Sequence, residues 1–293
     1  MNAFSTATSV APNGDRRFRA SVNGEWSAPR VPQGGLVAAL ALRAMISSLD
    51  DTALPVRTAT AMFAAPVESG EIEIDAEVLR RGRSTAHCSA TVRNPGADGG
   101  CTALAMFGGE RPTFTFTDLE PPTAPPPDEC VDVRNEPAPD EFPMSAFWAN
   151  HVQFRPVTGQ APWVEYDSTT SETMYWFRYD DPPCDEHGRL DPLALVALCD
   201  TMPGAIGQRL GNRGPMFWAP SVDLTVHVFG DAGGDWLLAR GHARHVDNGY
   251  ASLDNELWDG DRLVAYATQV AALVFPDRPP TDDELEPRDR RRA

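Results

Sequence analysis

"PQGGLVAALALRAMISSL", residues 32–49, decides the fold. Leu36, Leu40 and Met45 recur among alanines at roughly helical spacing with Arg43 as the lone charge, so the pattern predicts a helix that is apolar nearly all round. Such a helix has no face for water and must be enclosed. The segments that follow are suited to enclosing it: "VRTATAMFAAPV" (56–67), "EIEIDAEVLRRG" (71–82), "STAHCSATVRN" (84–94) and "CTALAMFGG" (101–109) read as antiparallel strands punctuated by turn residues.

The same order of elements comes round again. "DPLALVALCDTMPGAIGQRL" (191–210) predicts a second buried helix, and "SVDLTVHVFG" (221–230), "WLLARGHARHV" (236–246), "YASLDNELWDG" (250–260) and "RLVAYATQVAALVF" (262–275) predict four more strands. A single antiparallel sheet that must cover all sides of one helix has to wrap around it. The predicted fold class is therefore α+β, a double hotdog: two tandem units, each a sheet wrapped around a central helix, the second sheet continuing or facing the first. The units are assigned to residues 1–118 and 146–277. Between them, "LEPPTAPPPDECVDVRNEPAPDEFP" (119–143) holds eight prolines and seven acidic residues and reads as an extended linker ending near residue 145. Residues 278–293 are charged, carry nothing to bury and are expected to form a disordered tail.

Composition narrows the partners. With 293 residues, of which 42% are hydrophobic, the chain has enough material for one large core or two smaller ones. The formal charge, 25 − 42 = −17, repels phosphate backbones at long range and argues against nucleic acid or an anionic membrane as partner. No stretch is long and apolar enough for a membrane span, and the first residues lack the apolar core of a secretion signal, so a cytoplasmic location is expected. Five widely spaced cysteines without a CxxC pair read as reduced thiols. His242 and His245, at odd spacing on a strand, are expected on opposite faces, and neither a metal site nor a cofactor is proposed. "GRSTA" (82–86) lacks the second glycine of a nucleophile elbow, which disfavours a serine hydrolase.

One polar residue interrupts the last strand. In "RLVAYATQVAAL" (262–273), Gln269 stands between two apolar runs, where an unpartnered amide costs about 1–3 kcal/mol. Its place in the first repeat falls near Phe107, and the first helix has no acidic residue between Gln33 and Ser48, whereas the second ends on Asp200. The polar groups are thus confined to the second unit, which implies one active site per chain.

Several motifs in sequence resemble one family. "QGGLVAALALRA" (33–44), "VLRRGRSTAHCSATV" (78–92), "HVQFRPVTG" (151–159), "ALCDTMPGAI", "PSVDLTVHVF", "GDWLL" and "GDRLVAYATQ" resemble, in order, the acyl-CoA thioesterase II-like proteins, which are double hotdogs. The resemblance implies hydrolysis of an acyl-CoA or related acyl thioester by water held between an aspartate, a threonine and a glutamine. These roles fall on Asp200, Ser221 and Gln269, with serine in the threonine's place. Serine keeps the hydroxyl and loses only a methyl. Strand parity, however, groups Ser221 with Asp223, Thr225 and His227 on the face opposite Val222, Leu224, Val226 and Val228, so Ser221 should point away from the helix unless the strand is bulged at its start. Arg80, Arg81 and Arg83 beside Gly82 are candidates for contact with CoA phosphates, the alternative being a solvated hairpin turn. Gly34 and Gly35 at the helix start either permit close packing or present N–H groups to an anion or thioester oxygen. Two other readings stay open: an enoyl-thioester hydratase or dehydratase of the same fold, and a degenerate hotdog that binds a thioester without cleaving it. A homo-oligomer is possible in each case.

Overall fold

The computed structural model of the chain describes residues 2–49, 54–137, 144–157, 161, 163, 164, 170–211 and 216–275. The charged tail expected at 278–293 lies outside the described residues, as does part of the linker. The first half comprises α1 (Ala3–Ala7), β1 (Ala11–Pro12), β2 (Arg17–Val22), α2 (Gly34–Leu49), β3 (Val56–Phe63), β4 (Gly70–Arg81), β5 (Thr85–Arg93) and β6 (Cys101–Gly108). The second comprises α3 (Ala146–Asn150), β7 (Val152–Pro156), β8 (Glu172–Tyr179), α4 (Pro192–Cys199), α5 (Gly204–Leu210), β9 (Asp223–Val228), β10 (Leu237–Asp247), β11 (Tyr250–Asp259) and β12 (Arg262–Ala272).

Among the described residues the strands form one antiparallel sheet in the order β1-β2-β4-β5-β6-β3-β9-β12-β11-β10-β8-β7. The order is a mirror about its middle: β2-β4-β5-β6-β3 in one half answers β8-β10-β11-β12-β9 in the other. The second sheet thus continues the first, joined where β3 pairs with β9 through registers such as Thr60 with Thr225. The Thr60 and Thr225 hydroxyls meet at 3.0 Å across that seam.

The enclosed helices behave as their composition demands. Leu36, Leu40, Leu42 and Met45 of α2 and Leu193, Leu195 and Leu198 of α4 are all at most 1% exposed. Asp191 caps α4 by accepting from the Leu193 N–H at 3.0 Å, and Pro192 fills the first helical position. The single helix expected over 191–210 is two: α4 ends at Cys199, Asp200 leaves helical geometry (φ −84°, ψ 51°), and α5 starts after Pro203, whose ring cannot continue the helix. The helices run antiparallel, since the Gln33 amide beside the start of α2 donates to the Ala197 (2.6 Å) and Asp200 (3.1 Å) carbonyls at the end of α4, while Arg43 further along α2 pairs with Asp191.

The linker stays on the protein. The Arg240 guanidinium donates to the Glu120 carbonyl at 3.1 Å, the Trp176 indole to Pro125 at 2.9 Å and Arg155 to Pro127 at 2.6 Å, so residues 120–127 lie across the outer face of the second half-sheet. Beneath them Asp254, Glu256 and Trp258 are buried although they point away from the helices. The parity expectation for His242 and His245 fails for a local reason: a bulge in β10 between Ala243 and His245 returns both to the outer face. There the ring nitrogens of His242 lie 3.0 Å from Asp254 and 2.9 Å from Glu172. Among the described residues, no helix is long and apolar enough to cross a membrane.

Gly35 sets how closely the central helices approach. A Cβ there would sit 2.7 Å from the Ala197 Cα and 2.8 Å from the Val196 carbonyl oxygen, both backbone atoms. Gly35→Ala is expected to destabilise the fold by about 1–3 kcal/mol, read as a lower denaturant midpoint at unchanged slope. An unchanged midpoint would show that the helices can part without cost.

Candidate active site

The site forms where the end of α4 meets the start of α2, beside the β3/β9 seam. Asp200, the residue that closes α4, is partly buried and turns its carboxylate toward the α2 N-terminus. Its Oδ2 accepts from the Gly35 N–H at 2.8 Å. Its Oδ1 accepts from the Ser221 hydroxyl at 2.9 Å and from Gln269 Nε2 at 2.5 Å. Gln269 Nε2 lies 2.7 Å from Ser221 Oγ, which closes a triangle of three side chains. Gln269 is 2% exposed, and its buried Oε1 has no hydrogen-bond partner among the described residues.

Ser221 faces inward, contrary to the parity expectation, because the strand is irregular at its start. From the Thr225–Thr268 pair to the Ser221–Ala271 bridge, β9 takes four steps and β12 takes three, so one extra residue lies on the β9 side. The extra residue reverses the parity. Asp223 holds the irregularity by accepting from the Val270 N–H at 2.6 Å, and the Val222 N–H donates to the Val270 carbonyl at 2.7 Å. Gln269 needs no such device. It lies in regular β12 between buried Ala267 and Ala271, directly across from Leu253 of β11.

Gly34 and Gly35 both lie in close packing. Besides the helix contact at Gly35, a Cβ on Gly34 would come within 2.8 Å of Asp200 Oδ2 and 3.1 Å of the Phe63 ring. The anion that the Gly35 N–H meets is the protein's own Asp200. The first unit, read as empty of side-chain chemistry, thus supplies a backbone donor and the Phe63 ring.

Burial raises the Asp200 pKa above the ordinary carboxylate value, against the pull of Ser221, Gln269 and the Gly35 and Gly34 N–H groups, which all lower it. Burial also pushes the Cys88 thiol up to about 11 and the Cys101 thiol up to about 12, and it raises Cys199 well beyond its usual range. These thiols stay protonated near neutrality and are poor nucleophiles.

The arginine cluster is not brought to this site. Arg80, Arg81 and Arg83 lie at the β4–β5 turn, the end of the half-sheet where Val56 pairs with Phe107, whereas Phe63 and Ser221 lie at the other end of β3. Seven residues of strand at about 3.3 Å each separate the two ends. A cation missed in the sequence is better placed: Arg30, shortly before Gly34, lies 3.6 Å from the Trp218 ring centroid, shortly before Ser221. Gln33 was also missed. Its Oε1 accepts from the Leu36 N–H at 3.0 Å while its amide nitrogen serves the end of α4, so one side chain ties together both helix ends that form the site. Its position inside the "QGG" motif was the available signal.

Comparison with known proteins places this arrangement in context. Residues 22–108 match the acyl-CoA thioesterase N-terminal domain and residues 127–273 the acyl-CoA thioesterase C-terminal domain. A conserved hot-dog-fold protein of unknown function from Alicyclobacillus acidocaldarius is 29% identical, over 94% of this chain and 99% of that one, with a TM-score of 0.79. An acyl-CoA thioesterase II from Mycobacterium marinum shares the fold at 20% identity, over 94% and 99% of the two chains, with a TM-score of 0.71. The dehydratase domain of RzxB from Pseudomonas fluorescens shares it more distantly, at 12% identity, 90% and 96% coverage and a TM-score of 0.54. No curated protein matches the sequence. With both domain matches in order along most of its length, the chain belongs to the acyl-CoA thioesterase family.

Proposed function

We propose that the protein hydrolyses acyl-CoA, or a closely related acyl thioester, to the free acid and the thiol, with Asp200 as general base. The observation that carries this reading is the convergence of Ser221 Oγ and Gln269 Nε2 on Asp200 Oδ1, at 2.9 and 2.5 Å. Ionised Asp200 takes a proton from water as the water oxygen attacks the thioester carbonyl carbon. The tetrahedral intermediate then expels the thiolate, and the proton held by Asp200 passes to sulfur, which returns the carboxylate to its starting state. A carboxyl whose pKa is raised by burial is a stronger base for the first step.

The donor count suggests how water enters. Asp200 accepts three hydrogen bonds, two at Oδ1 from Ser221 and Gln269 and one at Oδ2 from Gly35, so both lone pairs of Oδ1 are filled. The Gly35 donor is fixed by α2, so a water that gives its proton to Oδ1 displaces Ser221 or Gln269, whose side chains can rotate. Either one then remains within reach of that water, and Gln269 Oε1 is free to accept its second proton. An enoyl-thioester hydratase of the same fold has less support, because Asp200 is partnered by a hydroxyl and amides rather than by a histidine.

Asp200→Asn is expected to lower kcat/KM for acyl-CoA by about 10²–10⁴-fold at unchanged fold, measured as thiol release. Ser221→Thr should keep most of the activity and Ser221→Ala should not. Wild-type rates in Asp200→Asn would exclude the mechanism, and loss of enoyl absorbance from crotonyl-CoA without thiol release would favour the hydratase.

The pH dependence carries a sign. The base must be ionised, so activity falls as pH drops through the Asp200 pKa, and burial places that acid limb above the ordinary carboxylate value of about 3.9. Ser221 and Gln269 both lower the pKa, so Ser221→Ala is expected to move the acid limb of kcat/KM to higher pH. A shift to lower pH would mean that the hydroxyl does not stabilise the ionised form.

A further inference from the structure

A second buried polar side chain lies next to this site with no part in it. Asn255 of β11 is 1% exposed, and its Nδ2 has no hydrogen-bond partner among the described residues. It faces the helices: its neighbours Asp254 and Glu256 point outward, where Asp254 meets His242 and Arg244 and Glu256 meets Arg240 and the Trp258 indole. On β12 Leu253 is paired with Gln269 and Asn255 with Ala267, so Asn255 is the diagonal same-face neighbour of Gln269, at about 7–8 Å.

Across the sheet the neighbours of Asn255 are small or polar, and along β11 it lies between buried Leu253 and Leu257 on the same face. On β10 it is paired with Gly241, where an added Cβ would lie 3.7 Å from Asn255 Oδ1 and 3.1 Å from the hydroxyl of buried Thr173 on β8. Above this row the covering helix is interrupted. The chain leaves Gln269 at Asp200 and reaches the Tyr175 hydroxyl at Gly204, 3.2 Å from a Cβ there, so the non-helical stretch 201–203 spans the sheet between β12 and β8. A purely structural core position would be served by leucine or alanine, which leave no donor unpaired. An asparagine with its N–H₂ unmade, one diagonal step from Gln269, fits a group that arrives with the substrate.

We propose that Asn255 is a specificity-determining residue that donates from Nδ2 to an oxygen on the acyl group, within a few bonds of the thioester carbonyl. The preferred substrates are then acyl thioesters with a hydroxyl or keto oxygen near the thioester rather than plain alkanoyl thioesters. This rests on the reading of Asp200, Ser221 and Gln269 as the hydrolytic centre. Polar recognition of this kind discriminates well, since the analogue lacking the oxygen leaves a buried donor unpaired.

Binding separates this proposal from the hydrolytic one. The Asp200→Asn protein, titrated calorimetrically with β-hydroxybutyryl-CoA and with butyryl-CoA, is expected to bind the hydroxylated thioester about tenfold more tightly. Adding Asn255→Leu should abolish the preference, and adding Asn255→Ser, which keeps a donor, should retain part of it; the serine variant decides if the leucine variant does not fold. Equal affinities in Asp200→Asn, a preference that survives Asn255→Leu, or no binding of either thioester would overturn the proposal. So would equal loss of thiol release from both substrates when Asn255→Leu is made in the wild-type background, since Asn255 would then act on the shared thioester. Wild-type protein that shows the binding preference but releases no thiol would overturn the hydrolytic reading and leave this one standing.

Discussion

The contact on which the arrangement turns is a carboxylate at the end of one buried helix set against the start of another. Asp200 closes α4 and accepts from the Gly35 N–H, one of the donors left over at any helix start. An acidic cap at an N-terminus is favourable both as a hydrogen-bond acceptor and as a charge at the positive end of the helix dipole. The cap here comes from the other unit of the chain. It therefore joins the two helices as well as ending one, and Gln33, bonded to the Ala197 and Asp200 carbonyls, makes the complementary tie in the opposite direction. Glycine is required at both positions for the carboxylate to come this close: a Cβ at 34 would strike Asp200 Oδ2, and one at 35 would strike the α4 backbone.

The mirror order of the sheet follows from two helices that cannot be left uncovered. Each is apolar on every side, each is wrapped by its own strands, and the two half-sheets join along β3 and β9, which leaves the short strands β1 and β7 as the outer edges. The covering was legible in the sequence because buried strands and buried helices both leave plain apolar patterns. β2 and β8, which complete each half, were not. "RFRASV" alternates polar and apolar residues but is only six residues long, and "ETMYWFRY" carries large aromatic residues on both faces, so its alternation is weak. The division of the second helix into α4 and α5 was marked by Pro203, a signal that outweighs the apolar run around it.

Asp200 and Gln269 could be located in the sequence because each breaks an apolar pattern, one at a helix end and one within a strand. Ser221 could not be placed on its correct face by counting. Parity holds only while a strand pairs residue for residue, and the extra residue at the start of β9 reverses it. The sequence gives little notice of the irregularity beyond Asp223, an acidic residue at a strand start whose carboxylate is spent on the Val270 N–H. The same failure of parity, through a bulge in β10, brings His242 and His245 to one face. Both errors have one cause: alternation is a rule about ladders, and functional positions often lie where the ladder slips.

In the proposed hydrolysis, the roles of cap and base make opposing demands on one carboxylate. As a cap, Asp200 gains from every donor that meets it; as a base, it loses proton affinity to each of them. The structure divides these demands between its two oxygens. Oδ2 takes the rigid Gly35 N–H, which sets the position of the carboxylate, and Oδ1 takes the two side chains, which are free to move. Burial then offsets the loss in basicity and leaves the pKa raised rather than lowered. Had both oxygens been held by backbone groups, the carboxylate would be as well placed and a weaker base, with no donor able to give way to water. The seam between the units is suited to this division, since one unit contributes the fixed donor and the other the carboxylate together with the donors that can yield.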